Sequence, residues 1–155
     1  MKDMISIKPH HVVDIITALG EGKTEFKPHE RGHALHIVAE EILDNPDVNL
    51  KIELGADDLC KPCRHNVNGV CNDTIDTSYR PLAPKSKNEW NLLIDRRWCG
   101  QLEIRPGDTF TGRELGERIK GVMGDISAIY REIPTDRTKR RQRDLIEGIR
   151  KYLGE

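Results

Sequence analysis

Aromatic residues are scarce: two Trp, three Tyr and two Phe make up 5% of the 155 residues, so whatever core forms is built from aliphatic side chains around very few rings. Charge of one sign is also lacking. Twenty-five Lys and Arg against 26 Asp and Glu leave a formal charge of -1, which rules out a whole-molecule field able to recruit nucleic acid or an acidic membrane. Nowhere do about eighteen apolar residues follow one another, and Met1 to Lys8 carries no apolar run of signal-peptide length, so neither a membrane span nor secretion is expected and the cytosol is. No Ser or His sits in a nucleophile motif, and no glycine-rich phosphate loop opens a helix after a strand; no catalytic residue is assigned and an enzymatic activity is left open.

What is present reads as one folded domain of mainly helical α+β class, with a small β element and a long cysteine-stapled loop. Pro9 suits a first helical position, and Val12, Val13, Ile16 and Leu19 repeat on one face until Gly20 and Gly22. Leu35, Val38, Ala39 and Ile42 predict a second helix, closed by Asn45-Pro46. Val48, Leu50, Ile52 and Leu54 alternate with polar residues as a strand with one buried face does; its partner is not assignable. Ser86 with Glu89 and Thr111 with Glu114 are capping-box spacings. The first opens a helix through Trp90, Leu93, Ile94 and Trp98 that ends at Cys99-Gly100. The second opens one whose stripe runs Leu115, Ile119, Val122, Ile126 and Ile129 until Pro134. A last helix carries Leu145, Ile146, Ile149 and Leu153. The expected organisation is a cysteine and metal-binding domain over 1–131, with a basic C-terminal helix over 132–155 packed on it.

The four cysteines carry the chemistry. In a reducing compartment, clustered thiols favour metal ligation or redox work over disulfides. Cys60 and Cys63 stand two residues apart, a spacing that lets one turn offer both sulfurs to one centre. Cys71 can fold back over them after Gly69-Val70, and the helix starting at Ser86 is expected to return Cys99 as the fourth ligand. Four thiolates suit an iron–sulfur cluster or tetrahedral zinc, and one close pair with two scattered ligands leans towards a 4Fe-4S cluster. A thioredoxin-like use of the pair is disfavoured, because Cys63 is followed by turn residues, Arg64 to Gly69, where that motif opens a helix.

Lys8-Pro9-His10-His11, Gly20-Glu21-Gly22, Asp57-Asp58-Leu59-Cys60, Cys63 and Gly69-Val70-Cys71-Asn72-Asp73 follow in that order. In this the chain resembles, over roughly residues 5 to 120, the prokaryotic family catalogued as domain of unknown function 1284. The resemblance implies a metal site of iron–sulfur type, without an established reaction, and adds His10 and His11 to the candidate ligands. Relatives carry a cysteine three residues after the second histidine; here that position is Asp14, which makes Asp14 an oxygen-ligand candidate, or leaves its role to Cys99.

Two further features have bland readings that outweigh the sharp ones. His29, His33, His36 and Glu40 fall within about 60° of one another at about 100° per residue, a helical stripe that could bind a divalent ion but more often faces solvent. Arg131 to Lys151 holds eight basic and four acidic residues, against a net of -5 elsewhere. Arg137, Lys139, Arg140, Arg141 and Arg143 could meet phosphates, yet no aromatic is interleaved among them to stack on bases. The expectation is therefore a small metalloprotein holding one 4Fe-4S cluster through Cys60, Cys63, Cys71 and Cys99, in electron transfer or redox sensing with a redox partner protein. The alternative is a zinc-stapled binding module whose basic segment contacts nucleic acid or an acidic protein.

Overall fold

The structure is a computed structural model describing residues 4–155. Five helices and a small mixed sheet give the α+β class that the periodicities indicated, with 45% of the chain helical and 11% in strands. Among the described residues no helix is long and apolar enough to cross a membrane.

The strand over Asn49–Ile52 (β2) is the centre of a three-stranded sheet. Its parallel neighbour is β1, Met4–Ile7, whose Ile5 and Ile7 are fully buried and stand opposite Leu50 and Ile52. Its antiparallel neighbour is β5, Thr109–Thr111, with Leu50 opposite Phe110. Parallel pairing of β1 and β2 has a consequence for everything that follows. The chain leaves both strands at the same edge of the sheet, so Lys8 to His11 emerge beside Glu53 to Cys60. Sites in open α/β sheets collect at such carboxyl edges for the same reason.

Helix α1, Pro9–Gly20, starts directly at that edge, and α5, Thr135–Leu153, makes the most extensive helix–helix contact of the fold with it. Gly20 is more than the expected helix stop. A Cβ there would strike the backbone carbonyl of Asp144, and one on Gly148 would strike that of Ile16, so these two glycines set how closely α1 and α5 approach. The basic C-terminal segment is thus a core-packed helix through Leu145, Gly148, Ile149 and Tyr152.

Between them lie α2, Leu35–Asp44, a two-stranded hairpin of β3, Asn66–Val67, and β4, Val70–Cys71, then α3, Lys87–Leu102, and α4, Gly112–Val122. The Thr111–Glu114 capping box forms in full, whereas at α3 the Ser86 hydroxyl accepts from the Glu89 N–H without the reciprocal bond. Two expected helix ends differ. The third helix continues past Cys99-Gly100 to Leu102 and closes on Glu103 in the left-handed region. The stripe from Leu115 does not continue as one helix: α4 ends at Val122, and Ile126 and Ile129 are buried from the connecting segment, because Gly121 and Gly124 offer little helix propensity there. That segment is fastened to α3, where Arg97 forks onto Glu132 at 2.7 and 2.9 Å and the buried Trp98 indole donates to the Tyr130 hydroxyl at 3.1 Å.

Candidate metal centre

The loop leaving β2 is organised by one side chain. Asp57 is fully buried, and its carboxylate accepts from the backbone N–H of Lys8 at 2.7 Å, of Leu59 at 3.1 Å and of Cys60 at 3.2 Å, while facing His11 Nδ1 at 2.6 Å. Burial alone would raise this carboxyl, but the His11 imidazole and the Lys8 N–H hold it well below the usual carboxylate range. Asp58 works on the outer edge of β1: its N–H donates to the Ser6 carbonyl and its carboxylate accepts the Ser6 N–H at 3.0 Å. These two acids order a stretch that has almost no apolar side chain to bury.

Cys60 follows in the same turn, with Cys63 N–H donating to the Cys60 carbonyl at 2.9 Å. The buried Lys8 ammonium lies 3.6 Å from Cys60 Sγ. Burial and then the Asp57 charge push the free Cys60 thiol up to about 11, so a bound metal ion would have to displace its proton. Cys71 is brought back by the β3–β4 hairpin, where Asn68 and Gly69 both have positive φ, 53° and 82°, the geometry of a two-residue type I′ turn. Cys60, Cys63 and Cys71 thereby line one cavity of about 270 Å³ together with Lys8, His10 and His11.

Adjacent residues of a helix point about 100° apart, yet His10 and His11 both border the cavity, because it sits at the start of α1 where the first turn closes it. Their rings are 4.3 Å apart. His10 is buried and its Nδ1 meets both oxygens of the buried Asp95, at 2.8 and 2.9 Å; burial disfavours its charged form, but Asp95 outweighs this and the pKa is raised. With Nδ1 of each ring turned to a carboxylate, neither Nε2 has a hydrogen-bond partner among the described residues, the orientation in which imidazoles ligate metals. His11, Asp57 and Cys60 place their ligand atoms within 4.8 Å of one another.

Other candidates lie elsewhere. Cys99 is not among the residues lining the cavity. The helix expected to return it carries it about 18 Å beyond Lys87, at 1.5 Å per residue, and it sits buried in the core, its thiol pushed up to about 11 by burial and by Asp95 and Asp108. Asp14 borders the cavity but is committed to Arg141 at 2.8 Å. The histidine stripe does not form, since α2 begins at Leu35: His29 and His33 stack in the preceding loop with centroids 4.8 Å apart, and their Nδ1 atoms accept from Arg31 and Leu35 N–H. Of the basic segment, Arg137 lies over the Tyr79 ring and Arg141 over that of Tyr130. Asp57 and Asp95, the two carboxylates that orient the site, carried no sequence signal as such. Asp57 stood in the quoted motif, while Asp95 is one polar residue within an apolar helical pattern.

No family model, curated protein or solved structure matches the chain, so its resemblance to a known family rests on the quoted motifs alone.

The donor set is soft, three thiols with imidazole at hand, which suits iron–sulfur or zinc chemistry.

Proposed function

We propose that the chain is a small metalloprotein whose cavity holds one iron–sulfur cluster, acting in electron transfer or redox sensing. Cys60, Cys63 and Cys71 are its thiolate ligands, and His11 Nε2 takes the fourth position in place of Cys99. The observation that carries this reading is the meeting of all three loop cysteines at one cavity with an imidazole already oriented by a buried carboxylate. When bound, such a cluster supplies one-electron chemistry. The chain's own groups hold it: Asp57 fixes the His11 ring and two backbone N–H groups of the cysteine turn, and Lys8 sets a positive charge against Cys60. A redox partner protein would then approach at the cavity mouth.

A zinc-stapled binding module is the second reading, favoured by the close His11, Asp57 and Cys60 trio, which has the span of a single-ion site. Its basic helix α5 would meet nucleic acid or an acidic protein. Anaerobic purification with iron, sulfide and zinc analysis separates the two. Visible absorption with about four iron and four acid-labile sulfide per chain is expected, and one zinc without colour would overturn the cluster. Cys63→Ser should abolish the bound metal and Cys99→Ser should leave its stoichiometry unchanged; the reverse pattern would sink the ligand assignment.

A further inference from the structure

The same cavity is richer in cations and amides than a metal centre needs. Lys8 is only 3% exposed, and among the described residues its ammonium has Cys60 Sγ as its one hydrogen-bond partner and no carboxylate at ion-pair distance, the buried Asp57 acting on it through its field alone. Asn91, on the second turn of α3, is 7% exposed, borders the cavity, and its carboxamide makes no hydrogen bond among the described residues. Polar groups this deep with so few protein partners are open to a ligand that enters the cavity. Lys87 and Asn88 line the cavity from the first turn of the same sixteen-residue helix, whose N-terminal end is therefore turned towards it and adds its positive dipole end.

The opposite wall repeats the theme. Arg31, His65 and Lys87 surround Asp73 at ion-pair distances of 3.4, 3.9 and 3.9 Å, and among the described residues the buried Asp73 Oδ2 has no hydrogen-bond donor. Asp73 thus faces three basic groups, while of the other acids around the cavity Asp14 is paired with Arg141 and Asp57 and Asp95 are turned to His11 and His10.

We propose that the cavity binds the carboxylate or phosphate group of a small molecule, held by Lys8, Lys87 and Asn91 with Arg31 at the mouth, beside the metal centre. An oxyanion there would accept from the ammonium of Lys8 and the amide of Asn91, and complete the fields of Lys87 and the α3 N-terminus. Charge-assisted bonds of this kind are the strong ones. The metal site would then respond to, or act on, a bound small acid. The anion site itself draws on the protein cations and stands whether or not the cluster reading does.

Isothermal titration of the anaerobically purified full chain with inorganic phosphate, and separately with succinate, at fixed ionic strength is the test. Saturable one-to-one binding of at least one anion is expected, the tighter of the two identifying the source of the oxyanion. Asn91→Leu should weaken it tenfold or more and Lys87→Gln about threefold to tenfold, each with unchanged far-ultraviolet circular dichroism. Lack of saturable binding by both anions, or a Kd untouched by both substitutions, would overturn the proposal. Iron and sulfide are assayed on the same samples, so anion binding without metal would count against the cluster and leave the anion site standing.

Discussion

Two regions of this molecule are ordered by opposite means. The frame of α1, α3, α5 and the sheet buries Ile5, Ile7, Val13, Ile16, Leu50, Trp98, Ile149 and their neighbours, and its helices close to backbone contact at Gly20 and Gly148. From Gly55 to Pro84 the buried residues are Asp57, Asp58, Leu59 and Ala83. Half of these are carboxylates. A region that buries charge where its neighbour buries aliphatic surface gains position but little stability, because each buried carboxylate must first recover the hydration it lost. The loop is placed by hydrogen bonds that add little net free energy, a state that a bound metal or anion would stabilise.

The contrast can be broken most forcefully in the frame. Trp98→Ala removes the largest fully buried side chain together with its bond to Tyr130, and should cost about 4 kcal/mol, read as a lower urea midpoint with a single transition in which frame and loop are lost together. A smaller and more local effect is expected in the loop. Asp57→Ala strips four donors of their acceptor and should cost about 2–3 kcal/mol, seen as faster hydrogen exchange at amides 57–66 and loss of bound metal while the helical circular dichroism is kept. Uniform acceleration across α1 and α5 would mean that the two regions are not separable.

The smallest effect sharpens the comparison through pH. The paired hydrogen bonds from Arg97, against an opposing contribution from burial, hold the Glu132 carboxyl below its ordinary value. A lowered carboxylate stabilises the fold fully above its unfolded pKa and loses that contribution as pH falls through the folded one. Wild type should therefore exceed Glu132→Gln by about 1 kcal/mol at neutral pH, and the gap should narrow in acid, as measured by urea titrations across the carboxylate range. A gap constant with pH would remove the ion pair from the account.

Much of the frame was legible beforehand, and the reason is periodicity. The apolar spacing of Val12, Val13 and Ile16, and of Leu145 and Ile149, reports a face that must be buried whatever it is buried against. The Thr111–Glu114 cap was legible because both partners lie within one turn. β1 was not, since four residues offer too short an alternation to stand out, and neither was the split between α4 and the Ile126–Ile129 segment, where helical spacing persists across a break. In the site, Cys60, Cys63 and Cys71 were legible from spacing and from the turn residues between them. Asp95 was not, because its partner His10 is 85 positions away.

Local chemistry, then, was determined by the sequence alone: which stretches are amphipathic, where turns fall, and that three cysteines sit in a polar loop unable to order itself by apolar burial. Which atoms meet was decided by tertiary structure. Parallel pairing of β1 with β2 sets His11 against Asp57, and the straight run of α3 carries Cys99 away from the cavity that its own first turns help to line. Spacing along a chain constrains neighbours within a turn or two, whereas long-range meetings depend on strand register and helix length, quantities set by the packing of the whole.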